Sequence, residues 1–137
     1  VGQAEKLPFN REIFDLIFVN DSFIHFDNQE AAMNQLKSVL KNEGRVVFIE
    51  PNIINPLIAI TLIFFKRGLR TFRRNKLKTC RLISRHLMVE EVRPLNLIYT
   101  KTSWKMSLLN LYDKITSINI LSVFSFRYVI IARKTGN

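Results

Sequence analysis

The chain reads as an α/β fold of parallel strands with flanking helices, and three runs of sequence predict it. Ile13 to Asn20 is apolar and β-prone, and too continuously apolar to leave one face in water, which suits a central parallel strand. Ala31, Ala32, Leu36, Val39 and Leu40 then recur at helical spacing behind Asp27 or Asn28, either of which can cap a helix, and Asn42-Glu43-Gly44 is expected to end it. Arg45 to Glu50 is a second buried strand. Strand, helix and strand so close together form a βαβ unit, whose ligands lie outside the carboxyl ends of the strands. Asn20 to His25 and Glu50 to Asn52 therefore fall at the functional edge.

Beyond Pro51 the elements are predicted one by one. Pro56 can open a helix that is almost wholly apolar from Leu57 to Phe65 and basic from Lys66 to Lys78, an amphipathic or partly buried insert. The apolar run from Ile53 to Phe65 is shorter than the roughly 20 residues that cross a bilayer. Cys80 to Leu87 continues as helix, Met88 to Tyr99 holds a strand interrupted near Pro94, Trp104 to Tyr112 is helical, and Phe126 to Arg133 is a strongly β-prone last strand. The organisation expected is one domain: a βαβ core over 1–52, a basic helical insert over 53–87, and strands with a helix over 88–137.

Composition bounds the rest. In 137 residues, 47% hydrophobic content with 11 Phe supplies a real core. The single cysteine, Cys80, excludes an internal disulfide or a multi-cysteine zinc site and is expected in the packing; no metal site is expected. No secretory leader is evident, so a cytoplasmic fragment of a longer protein is expected, with a peripheral membrane contact as an option. The net charge of +10 favours anionic partners. It is concentrated: from Pro51 to Val89 there is no acid, while Lys66, Arg67, Arg70, Arg73, Arg74, Lys76, Lys78, Arg81 and Arg85 all fall there. Such a run is a solvated helix face, a membrane-surface or lipid-substrate site over 57–78, or, last in order because no RNA or DNA motif accompanies it, a phosphate-binding stripe for nucleic acid.

Three motifs carry a family resemblance. Gln3-Ala4-Glu5-Lys6-Leu7-Pro8-Phe9 is followed by Phe14-Asp15-Leu16, and then by Leu40-Lys41-Asn42-Glu43-Gly44-Arg45-Val46-Val47. In that order they resemble the second half of a class I S-adenosylmethionine-dependent methyltransferase, and Phe126 to Lys134 resembles that family's last strand. The resemblance is close over 1–52, slight from 53 to 119, and intermediate at the end. It implies a partial Rossmann-like methyltransferase fold with the last strand antiparallel, expected at the far edge, and a glycine-rich turn upstream of Val1.

The resemblance also implies S-adenosylmethionine as cofactor, with Gln3 and Ala4 as adenine contacts and Asn20 and Asp21 at the strand end that faces it. Gln3 stands where the family usually has Asp; its amide oxygen can still accept from the exocyclic amine, without a charge. Of the family's paired histidines only the second is kept, at His25. His25 and Glu50 are the candidates for orienting a substrate or accepting a proton; Asp15, which begins its strand, is expected to be structural. Glu50-Pro51-Asn52 and Asn55-Pro56 resemble members that act on small or lipid-like molecules. Methyl transfer needs chiefly positioning, so the lack of a catalytic triad does not count against it. Two other readings compete: a non-catalytic basic module docking on an anionic membrane or RNA, and a degenerate methyltransferase remnant.

Overall fold

The structure is a computed structural model, described for residues 3–56, 58, 60, 76–95, 103–116 and 121–136. The described elements are β1 (Phe14–Asn20), a 3-10 turn (Phe23–His25), α1 (Gln29–Val39), β2 (Leu40–Pro51), α2 (Lys76–His86), β3 (Met88–Leu95), α3 (Ser103–Thr116), a second 3-10 turn (Leu121–Phe124) and β4 (Arg127–Arg133). A helical stretch also begins at Pro56. The basic run from Lys66 to Arg74 and most of the apolar run before it lie outside the described residues.

The βαβ unit forms as its residues dictate. Asn28 caps α1 by accepting the Ala31 amide at 3.0 Å, so the polar break does select the helix start. Ala32, Met33, Leu36 and Val39 are its buried stripe. The helix stops earlier than Asn42-Glu43-Gly44 predicts: Leu40 already has extended backbone, is fully buried, and pairs with Phe14. The polar triplet instead makes an irregularity inside β2, between the Phe14↔Leu40 and Leu16↔Arg45 pairs, with Glu43 at φ 64°. Gly44 is needed there for space, because a Cβ would lie 2.9 Å from both the Leu40 Cδ1 and the Lys41 carbonyl oxygen.

The described sheet has the order β1-β2-β4-β3, with β1 and β2 parallel and β4 antiparallel to both β2 and β3. Only β4 is reversed, as the resemblance implies for the last strand, but it lies inside the sheet and not at its far edge. Tyr128 to Ala132 is buried almost throughout, and such a run is stable only with a strand on either side. The edge goes to β3, which is mostly exposed. Pro94 does not interrupt that strand; it pairs with Tyr128, and the outer side of an edge strand has no ladder partner to lose.

One face of the sheet holds the core. Val46, Phe48 and Glu50 of β2 alternate inward beside Tyr128, Ile130 and Ala132 of β4, all buried. α1 and α2 pack over them, α2 contributing buried Thr79 and Ile83. Cys80 is half-buried against this core, where burial pushes its thiol pKa up, consistent with packing. On β1, by contrast, Leu16 and Phe18 remain 47% and 64% exposed. Asp15 is an exposed partner of Lys41 at 2.9 Å.

Candidate functional site

The carboxyl ends of β1 and β2 and the start of β4 meet at one edge. Asn20, exposed, ends β1 beside Ile49. Asp21 follows in the left-handed region at φ 48°, its amide donating to the Ile49 carbonyl at 2.8 Å. Its Oδ2 lies 2.7 Å from Nη2 of Arg127, the first residue of β4, while its Oδ1 is sealed from solvent with no hydrogen bond among the described residues. His25 closes the adjacent 3-10 turn with an exposed side chain.

Glu50 is set differently from a substrate-facing carboxylate. It is fully buried, with Oε1 accepting the amides of Phe23 at 2.8 Å and Ser22 at 3.3 Å. The carboxylate thereby fixes the 3-10 turn after β1 on the end of β2. Loss of solvation pushes its pKa up to about 7; the backbone donors pull it down less, and Asp21 adds repulsion. Tyr128, its register partner on β4, has a phenol pKa raised chiefly by burial. Glu50 Oε2, the Tyr128 hydroxyl and the neighbouring Thr79 hydroxyl on α2 are all enclosed without a completed hydrogen bond among the described residues.

Asn52 and Asn55 form a clamp at the exit of β2. Asn52 Nδ2 donates to the Ser125 carbonyl at 3.0 Å and to that of Ser122 at 3.3 Å, and Asn55 Nδ2 to the carbonyls of Ser125 and Phe124. Both asparagines are buried. They tie the second 3-10 turn to the edge that carries Asp21.

The N-terminal loop folds over the other side of β1, held by Leu7 and Asn28 amides donating to Gln35 and Glu5. Beside it lies an apolar groove of about 380 Å³, in which Ala4 meets Phe9, Phe14, Phe18, Val19 and Phe26, with Ser22 at its rim. Gln3 is exposed in a turn whose carbonyl accepts the Lys6 amide. Ala4 thus lines a groove that runs along β1 from Phe14 to Val19, and Gln3 lies outside that lining.

The sequence of residues 1–48 matches the family described as methyltransferase domain. Over these residues the chain is similar to a class I methyltransferase domain. The methyltransferase segment is 36% identical over 50 residues to the glycine/sarcosine/dimethylglycine N-methyltransferase of Actinopolyspora halophila and, equally, to the sarcosine/dimethylglycine N-methyltransferase of Aphanothece halophytica. Each match takes in 36% of this chain, and only 9% and 18% of those proteins' lengths. Over the whole chain the fold is that of Rossmann-like methyltransferases. It superposes on an S-adenosylmethionine-dependent methyltransferase from Thermotoga maritima with a TM-score of 0.66 at 15% identity, covering 98% of this chain and 62% of the other. The geranyl diphosphate C-methyltransferase of Streptomyces coelicolor A3(2), solved with Mg2+, geranyl diphosphate and S-adenosyl-L-homocysteine, gives 0.60 at 17% identity, covering 99% and 51%.

Arg127 and Tyr128 carry no local signal because the groups they meet at this edge, Asp21 and Glu50, lie more than seventy residues away. A signal for Glu50 was present: it continues the inward alternation of Val46 and Phe48.

Proposed function

We propose that the protein carrying this chain transfers a methyl group from S-adenosylmethionine to a small or lipid-like acceptor. One observation supports the reading: the matched segment supplies the two parallel strands, Asn20, Asp21 and His25 follow the carboxyl end of the first, and Ala4 lines a groove along that strand. The residues present fit the cofactor, since an apolar groove lined by Ala4 accepts a flat adenine face and the exposed Asn20 amide at the strand end can hydrogen-bond a hydroxyl or amine. Ala4, Asn20 and Asp21 would hold it, whereas Gln3 lies outside the groove lining.

When bound, S-adenosylmethionine supplies a methyl group on an already activated sulfonium. The chain's own residues then have to position the acceptor and exclude water. Glu50 holds the Ser22–Phe23 turn in place, and so sets where His25 projects. His25 is the exposed base at this edge, able to take the proton that an amine or hydroxyl acceptor releases. The names of the N-methyltransferase relatives support amines as one acceptor class, and the apolar surface at Ile54 and Phe124 supports a lipid-like one. A second reading, a non-catalytic basic module, draws on the charge run between Pro51 and Val89.

The test is transfer of radiolabelled methyl from S-adenosylmethionine by the natural full-length protein to glycine, sarcosine and a set of prenyl and acyl acceptors. Incorporation that falls at least tenfold in Asp21→Ala is expected; no incorporation into any of them favours the second reading.

A further inference from the structure

The turn after β1 is held from beneath by one side chain. Glu50 is fully buried on β2, the strand between β1 and β4, and its Oε1 accepts the Phe23 amide at 2.8 Å and the Ser22 amide at 3.3 Å. Gln29 of α1 donates to the Phe23 carbonyl at 2.9 Å, and the Phe23 ring packs edge-on against Phe48 with centroids 5.1 Å apart. The same turn forms one side of the apolar groove, through Ser22 and Phe26. Whatever moves the turn therefore reshapes the groove.

The surroundings of Glu50 suit a neutral carboxyl better than an ionised one. Its Oε2 is enclosed and receives no hydrogen bond among the described residues, so half of an ionised carboxylate would sit in the interior without a donor. The groups that face it bring no free cation. Asp21, beside the turn, repels it and has Arg127 of β4 as its own partner at 2.7 Å. Tyr128, directly across on β4, is an uncharged phenol whose pKa burial raises further. On α2, Thr79 and Cys80 neighbour Tyr128, and the charge of Lys76 bears on Cys80. α1 presents the uncharged Gln29, and His25 lies at the exposed end of the turn. The carboxyl pKa is accordingly up at about 7.

We propose that Glu50 is a proton-operated latch on this turn: with its carboxyl protonated the 22–26 turn stays closed on the end of β2, and when the proton leaves to solvent the turn opens more often and takes one side of the groove with it. The strand cannot yield, because β2 is paired on both sides. The turn can, being a single 3-10 turn whose Ser22 makes no side-chain cap. Opening gives the ionised carboxylate the water that the closed state denies it. The buried Phe23 ring keeps the turn closed in most molecules, so the proton sets how often it opens. The inference goes beyond methyl transfer and stands whether or not the protein has that activity.

Hydrogen exchange of the natural full-length protein, followed by NMR from pH 5 to 8 and corrected for intrinsic rates, tests it. The opening constants of the Ser22 and Phe23 amides are expected to rise on the order of thirtyfold from pH 5 to 7 and then level off, since the closed turn holds a proton there that the open one has lost. At each pH they should exceed those of residues 46–49 on β2, as a local opening requires. Glu50→Gln keeps an acceptor for both amides and has no proton to lose, so its profile should be flat. His25→Gln should keep the wild-type profile. A flat wild-type profile, one opening constant shared by the turn and β2, or a rise that survives in Glu50→Gln or vanishes in His25→Gln would each overturn the proposal.

Discussion

Asp21 and Arg127 meet at 2.7 Å across the end of β2, joining the residue after β1 to the first residue of a strand more than one hundred positions later. Both side chains are about a third exposed, so solvent screens the pair, which is worth about 1 kcal/mol or less. The backbone of Asp21 is the larger matter, since its φ of 48° suits Gly, Asn or Asp and strains a branched side chain. Asp21→Gly should leave the urea midpoint close to wild type, whereas Asp21→Val should cost roughly 1–2 kcal/mol more. Equal loss from both would mean that the ion pair, not the turn, sets stability.

Glu50 makes stability depend on pH. Its folded-state pKa of about 7 lies above the ordinary carboxyl value, so between those two values the folded state holds more protons than the unfolded one. Stability is then fully present below pH ~4.5 and falls as pH rises through 7, by an amount on the order of 3 kcal/mol. Glu50→Gln keeps an oxygen for the Ser22 and Phe23 amides and removes the titration. Thermal melts from pH 5 to 8 should fall for the wild type and stay flatter for Glu50→Gln. Glu50→Ala also removes the titration but leaves two amides without their acceptor, so it should lie about 2–4 kcal/mol below wild type near pH 5 and by less as pH rises through 7.

The asparagine clamp predicts a localised loss. Asn52→Ala or Asn55→Ala removes two side-chain donors to the carbonyls of Ser122, Phe124 and Ser125, each of which keeps another donor, at a cost of about 0.5–1.5 kcal/mol per hydrogen bond. Hydrogen exchange should rise first in residues 121–126. A uniform rise across β1 and β2 would contradict a clamp confined to this edge.

At Gly44 the constraint is steric. A methyl group there meets the Lys41 carbonyl, which is backbone and cannot turn aside, so Gly44→Ala should cost about 1–3 kcal/mol by chemical denaturation. A neutral result would show that residues 41–44 readjust freely.

Local chemistry made the first fifty residues legible, and distance hid the rest. The Asn28 cap, the helical spacing of Ala32 to Val39 and the apolar runs of β1 and β2 act between near neighbours. The place of β4 depends on pairings such as Phe48↔Ile130 and Val92↔Ile130, which no local pattern encodes. Pro94 suggested a break because its tolerance depends on β3 being an edge. At the site, Ala4 and Asp21 came from motif and strand end. Glu50 read as an edge carboxylate until its partners, the Ser22 and Phe23 amides, were placed beneath it.

Calorimetric titration of S-adenosyl-L-homocysteine into the natural full-length protein tests the central claim most directly. The account predicts saturable one-to-one binding that is weakened by Ala4→Phe, which puts a larger side chain into the groove lining, and is unaffected by Leu111→Glu on α3. No saturable binding, or binding indifferent to Ala4→Phe, would contradict it.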